Sequence, residues 1–342
     1  MSVSVIHQTD LFRPHMDPDD HWDLATIYAL AAAGDIDLRG ILIDSPPHTK
    51  LNPDVMAVAQ MNHITGLSVP CAVGSSLPMR SRRETQACAP VSDRSGVEFL
   101  LSLMRGSSSP LVINVVGSCR DVALAANSAP ELFESKCAAI YLNAGYGSNE
   151  IDDSWELEYN VRLDRPAFAA LFDVPCPVYW LPCFEDMRRG TVQEWGTFWR
   201  FRERDLLQEV TPDLQRYFAF MLGRLEQSGW FGFLHGGDVS SIFRDTYEDF
   251  RNMWNTAGFL HVAGRTVSTE GEIVTLGEPG ESPVYGFEPI GVTCDDGGVT
   301  RWRTETGSTG RYIFHVCSLE RYQEAMTRAL TSLLSAFGTR AA

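Results

Sequence analysis

Basic residues are scarce: 28 Lys and Arg stand against 44 Asp and Glu, a formal net charge of −16. Such a field repels phosphate backbones and anionic lipid, so nucleic-acid polymers and membrane surfaces are poor partners. A cation or a small neutral molecule is accommodated more easily. No run of about 18 apolar residues appears, so no spanning helix is expected. The N-terminus enters a strand without a basic-then-apolar leader. None of the eight cysteines (71, 88, 119, 137, 176, 183, 294, 317) forms a Cys-x-x-Cys pair, which argues against zinc and disulfide frameworks. They are expected to be small buried hydrophobes in a reducing compartment. Internal repeats and low-complexity linkers are also missing. The expectation is a soluble, cytoplasmic protein, and 44% hydrophobic with 21% charged residues is ordinary for one.

What is present is an alternation of strand-like and helix-like segments. Strand signals cover Val3 to Asp10, Ile36 to Asp44, Pro110 to Val116, Ala138 to Leu142 and Val178 to Pro182. Helical spacing covers Pro53 to Ile64, Arg120 to Asn127 and Pro166 to Phe172. Near-continuous apolar strands spaced by helices predict an α/β fold, a mostly parallel central sheet with helices on both faces. Residues 190–262 are rich in Trp, Phe and Arg and read as amphipathic helices forming a cap or side region. Strand signals return from about 282 to 317, and a helix from Leu319 to Phe337 closes the chain. One domain over 1–342 is expected.

The most informative segment is acidic: Asp10, then Asp17-Pro18-Asp19-Asp20-His21-Trp22-Asp23. It falls between the end of the first strand and the start of a helix, where open α/β sheets bind ligands. Asp17 suits the N-cap and Pro18 the first helical position, and acids there complement the helix dipole. Helical phase, about 100° per residue, places Asp20 on the stripe of Leu24, Ile27 and Ala31, facing inward. Asp23 flanks the stripe; Asp19 and Trp22 point away. An inward carboxylate is costly unless paired or bound to metal. Asp10, Asp20 and Asp23 therefore make a three-oxygen face for Ca²⁺, or for Mg²⁺. His15 and His21 are candidate proton donors, and Arg13 a candidate ion-pair partner.

These residues resemble the inosine–uridine nucleoside hydrolase family, which opens on Asp-x-Asp-Pro-x-x-Asp-Asp. The counterpart here is Gln8-Thr9-Asp10, an insertion, then Asp17-Pro18-Asp19-Asp20-His21-Trp22-Asp23. Val115 to Ala125, with Gly117-Ser118-Cys119-Arg120-Asp121, is similar to the family's Gly-Pro-Leu-Thr-Asn turn. Glu158-Tyr159-Asn160 with Asp164 is similar to its Glu-Phe-Asn…Asp-Pro motif, and Tyr312 to Val316 to its last strand. The resemblance implies Ca²⁺ held by Asp10, Asp20, Asp23, Asn255 and the backbone carbonyl of Arg120, with Asp10 as the base for water. It also implies sugar contacts from Glu158, Asn160 and Asn149, with Asp19 and His21 as further substrate contacts. Glu158 and Asn160, read as two apart on an extended segment, would share a face.

The implied activity is metal-dependent hydrolysis of the N-glycosidic bond of a nucleoside or related N-riboside, as in purine or pyrimidine salvage. The partner would be that small molecule, and a homo-oligomer is compatible. The chain departs from the family pattern at Gln8, where the first Asp stands. The acidic pair aligns either on Trp22-Asp23 or, with a gap, on Asp19-Asp20. Trp254-Asn255 replaces a His-Asp, and Asp44-Ser45-Pro46-Pro47-His48 lacks a Gly-Asn. Trp195, Trp199, Phe201, Trp230, Phe231 and Phe233 are candidates to stack on a leaving group, and His235 is a candidate acid. Two alternatives remain: a non-catalytic sugar or nucleoside binder, and a hydrolase of a different glycoside.

Overall fold

The computed structural model describes residues 2–14, 18–46, 50–152, 154–278 and 282–337. Met1, His15, Met16, Asp17, Pro47 and His48 lie outside them, so the expected N-cap at Asp17 and the donor role of His15 find no description.

Nine strands form one sheet: β1 (Val3–Thr9), β2 (Ile36–Ile43), β3 (Cys71–Val73), β4 (Leu111–Val116), β5 (Cys137–Asn143), β6 (Val178–Leu181), β7 (Tyr285–Cys294), β8 (Thr300–Thr304) and β9 (Arg311–Val316). Their order is β8-β7-β9-β6-β5-β4-β1-β2-β3. All neighbours are parallel except β7 with β9 and β7 with β8. The expected mostly parallel sheet is therefore the observed one. The chain runs from β1 outward through β2 to β3, then crosses to β4 and runs the other way. That reversal leaves a crevice at the carboxyl ends of β1 and β4.

Helices cover both faces. Asp19–Ala32 (α1), Val55–Thr65, Thr256–Val262 and Leu319–Ser335 build one apolar layer with the 199–243 region. Ser95–Gly106, Arg120–Ser128, Pro130–Lys136 and Arg165–Leu171 build the other. Hence β1, whose Val-Ser-Val-Ile-His-Gln-Thr alternates in polarity, is buried from Val5 to Thr9 on both faces. Burial of His7, Gln8 and Thr9 reflects a two-sided sheet, not a solvent face.

Helix α1 departs from the expected outward Trp22. Every residue from Asp20 to Leu30 is buried, because helix Pro212–Leu222 and the ribbon at Trp199–Arg202 form another layer over it. Trp22 stacks on Phe218 with ring centroids 3.7 Å apart and meets Phe201 edge-on at 5.1 Å. The 190–262 region is mostly helical as expected, but it also contains the antiparallel ribbon Trp199–Arg202 with Phe250–Met253. Cysteines 71, 88 and 317 are exposed; the other five are buried. Among the described residues no helix is long and apolar enough to cross a membrane.

Candidate active site

The crevice at the switch point opens into a cavity of about 660 Å³. Its floor is made by strand ends: Asp10 after β1, Val116 of β4, Asn143 of β5 and Cys183 beyond β6. The start of α1 contributes Asp19, Asp20 and His21, and a short helix, Tyr159–Leu163, contributes Glu158 at its cap with Tyr159 and Asn160.

Asp10 and Asp20 lie side by side. Burial, then the Asp20 and Asp44 charges, hold the Asp10 carboxyl well above the ordinary carboxylate range. Thr9 Oγ1 donates to Asp20, fixing it against the strand end. The helix begins at Asp19, so both alignments of the acidic pair, Asp19-Asp20 and Trp22-Asp23, fall on its first turns. Asp19 faces the cavity rather than solvent, because the cap region closes over the helix start. Asp23 sits one turn deeper, fully buried, and accepts from Asn255 Nδ2 at 2.5 Å. Burial, then Asp20, push its carboxyl well up as well. Asn255 lines the cavity, and its Oδ1, like Asp23 Oδ1, is buried without a hydrogen-bond partner.

The expected three-aspartate face is not formed. Among the described residues, no three His, Cys, Asp or Glu side chains come together to hold a metal. The donor chemistry fits a hard cation in a different way. Two adjacent desolvated carboxylates, Asp10 and Asp20, face a cavity into which Asn255 can bring an unpaired amide oxygen, and oxygen sets of this kind suit Ca²⁺. Asp23 orients that amide.

Gln8 binds an acid of the neighbouring strand. Its Nε2 donates to Asp44 Oδ1, and Ser118 N donates to Asp44 Oδ2 at 2.5 Å. Asp44, which follows β2, therefore brings a carboxylate beside Asp10 from the neighbouring strand. Gly117 makes this possible: a Cβ there would lie 2.5 Å from Asp44 Oδ2 and 2.8 Å from Gln8 Nε2. The next turn forces Cys119 into the left-handed region at φ 64°, an uncommon conformation for a residue with a side chain. It aims the chain into helix Arg120–Ser128.

Arg120 does not line the cavity. Its Nε donates to Asp164 at 2.7 Å and its other nitrogens to the carbonyls of Ser75 and Leu163. It ties the turn to the Tyr159–Leu163 segment. Asp164 also caps the next helix through Ala167 N.

Glu158 and Asn160 are not on an extended segment. Glu158 is an N-cap whose carboxylate accepts from Gly145 N at 2.9 Å, Asn160 N at 3.0 Å and Val161 N at 3.3 Å. Burial pushes this carboxyl up, and those backbone donors oppose the rise without cancelling it. Asn160 Nδ2 donates to Asn143 O at 3.1 Å. The two residues still meet at the cavity because the cap folds the side chain back over its helix. Asn149 is exposed and brackets Trp302 through its backbone N and O. It is not in the site; Asn143, which the sequence did not single out, is.

His21 Nε2 lies 3.0 Å from Asp54 Oδ2, and Arg13 is 3.7 Å from the same oxygen. Arg13 thus pairs outside the acidic cluster. Of the aromatic residues expected to stack on a ligand, none lines the cavity. Phe184, Phe198 and Trp254 do, with centroids 5.6–5.8 Å apart. His235 packs on His63 and Phe231, away from the cavity.

No protein-family model matches the sequence, and no match emerges among curated proteins. Solved structures do match. The inosine-uridine preferring nucleoside hydrolase from Bacillus anthracis is 13% identical, with a TM-score of 0.51 over 97% of this chain and 99% of that one. The effector protein XOO4466 is 14% identical, with a TM-score of 0.52 over 98% and 94%. The type III effector protein XopQ, complexed with adenosine diphosphate ribose, is 14% identical, with a TM-score of 0.50 over 98% and 94%. With a parallel sheet, a crevice at the β1–β4 reversal and these matches, the chain has the α/β fold of the nucleoside hydrolases.

Proposed function

We propose that the chain hydrolyses the N-glycosidic bond of a nucleoside or related N-riboside. The observation that carries this reading is the adjacent Asp10–Asp20 pair lining one cavity with Asn143, Glu158 and Asn160. N-glycosidic cleavage passes through an oxocarbenium-like sugar and needs a water on one face and a grip on the sugar hydroxyls. Asp10 and Asp20, with the Asn255 amide oxygen, would hold Ca²⁺ or Mg²⁺. Such an ion lowers the pKa of a bound water. Asp10, its carboxyl held up by burial and by Asp20, takes the proton of the attacking water. Asn160, its Nδ2 held by Asn143 O, offers its amide oxygen to a sugar hydroxyl; Asn143, whose Nδ2 donates to Leu181 O and Thr197 Oγ1, fixes that wall, and Glu158 holds the turn that carries Asn160. Phe184, Phe198 and Trp254 give a flat leaving group an aromatic wall. His21, oriented by Asp54, is the cavity-lining histidine suited to meet the departing base.

A second reading is a binder without turnover. It is favoured by Trp254, which cannot protonate a leaving group, and by the XopQ neighbour, a structure complexed with adenosine diphosphate ribose. The test is direct. Bound calcium is measured, and ribose release is assayed on a nucleoside panel with and without chelator, with Asp10→Asn as control. Hydrolysis requires release that chelator and Asp10→Asn both abolish; tight binding with no release supports the second reading.

A further inference from the structure

Three arginines, 200, 202 and 204, follow one another in the ribbon region, and their charges are satisfied differently. Arg202 and Arg204 both pair with Glu248, each at 2.6 Å. Arg200 lays its guanidinium over the Phe250 ring, 4.8 Å from the centroid, and lines the cavity. Among the described residues it forms no ion pair. Its cross-strand partner is Asn252, which also lines the cavity. A guanidinium and a carboxamide therefore stand next to each other at one wall. Arg189 reaches the same cavity from the segment after β6, donating to the Tyr146 hydroxyl at 3.0 Å and lying 3.7 Å from a half-exposed Glu156.

Charge is thus divided within one cavity. The carboxylates come from the end of β1, the start of α1 and the cap of the Tyr159–Leu163 helix. The cations come from the ribbon and the segment after β6. In a chain of net charge −16, acidic side chains are plentiful, yet none of the described ones pairs with Arg200. Planar guanidinium groups suit phosphate, which they bind with charge-assisted bonds. The overall negative field still disfavours long polyanions; it does not prevent one phosphate from reaching an arginine on the cavity wall.

We propose that the ligand of this cavity is a phosphorylated N-riboside, with Arg200 and Asn252, assisted by Arg189, binding its phosphate. This rests on the ribose-binding reading above and specifies its substrate class. The test is calorimetric titration of adenosine, AMP and ADP, and of uridine and UMP, at low and raised salt. Wild type is compared with Arg200→Gln, Arg200→Lys and, as a control away from the cavity, Arg202→Gln. Phosphorylated ligands are expected to bind about tenfold or more tightly than their nucleosides, with the advantage shrinking as salt rises. Arg200→Gln should remove that advantage, Arg200→Lys keep part of it, and Arg202→Gln keep it whole. Equal affinity for nucleosides and their phosphates, or an advantage that survives Arg200→Gln, overturns the proposal. Ribose or ribose-phosphate release is followed separately. Nucleoside cleavage without a phosphate advantage sinks this inference alone. An Arg200-dependent advantage without cleavage sinks only the hydrolase reading. Absence of binding by every ligand sinks both.

Discussion

Replacing Glu158 by glutamine isolates what the cap does for the site. The wild-type carboxylate takes three backbone N–H groups, from Gly145, Asn160 and Val161. Hydrogen bonds to a charged group are worth about 1.5–3 kcal/mol, and a buried donor left unpaired costs about 1–3 kcal/mol. Glutamine can keep its oxygen at the Oε2 site, which all three N–H groups reach, but it then sets an NH₂ against Asn160 N, 3.0 Å from the Oε1 site, and the charge assistance to every bond is lost. Part of this loss is returned, because burial already disfavours the Glu158 charge. The expected net cost is about 1–3 kcal/mol. It should appear as a lower urea midpoint with an unchanged m-value. The Tyr159–Leu163 turn carries Asn160 to the cavity, so sugar binding should weaken as well. We expect KM for an N-riboside, or its Kd if no turnover occurs, to rise about tenfold. Stability within about 0.5 kcal/mol of wild type together with unchanged ligand affinity would refute the reasoning.

Other perturbations test neighbouring claims. Asn255→Asp sets two buried carboxylates where one now accepts from an amide at 2.5 Å; it should melt well below wild type in chelator and recover with added Ca²⁺, and equal melting in chelator would contradict the pairing. His7 is fully buried, neither ring nitrogen has a hydrogen-bond partner, and burial lowers its pKa from 6.5 to about 3. Its stability contribution is present above pH 6.5 and is lost as pH falls toward 3, because the unfolded chain takes the proton first. Wild type should therefore lose up to about 1.4 kcal/mol per pH unit below 6.5 from this group, a slope that His7→Leu lacks; parallel urea midpoints between pH 7.5 and 5 would exclude it. Trp22→Ala should cost about 3–5 kcal/mol, read by thermal melting, since its ring is enclosed by Phe218 and Phe201.

Strands were legible where apolar runs were long: Leu111–Val116, Cys137–Asn143 and Val178–Leu181 lie within two residues of the expected bounds. Cys71–Val73 and the helix Ser95–Gly106 went unread, the strand because three residues carry almost no periodic signal. The site was half legible. Asp10 and Asp20 were picked from the strand end and helical phase, Glu158 and Asn160 from the motif resemblance, and all four line the cavity. Asn149 was misplaced because two asparagines lie six residues apart and only strand β5 shows which one reaches the crevice. Asp44 and Arg200 left no local signal; a carboxylate after a strand and an arginine in a basic ribbon are ordinary until something is placed opposite them.

By itself, then, the chain's order of residues determined the α/β class, the parallel sheet and the acidic start of the first helix. These depend on local spacing and on apolar runs long enough to be buried from both sides. Tertiary structure alone decided which acids meet. Asp23 pairs with Asn255 across 232 positions, Gln8 with Asp44 across 36, and Arg120 with Asp164 across 44. Pairings over such separations follow from strand order and from the layer packed over α1, and neither is written in the residues that make them.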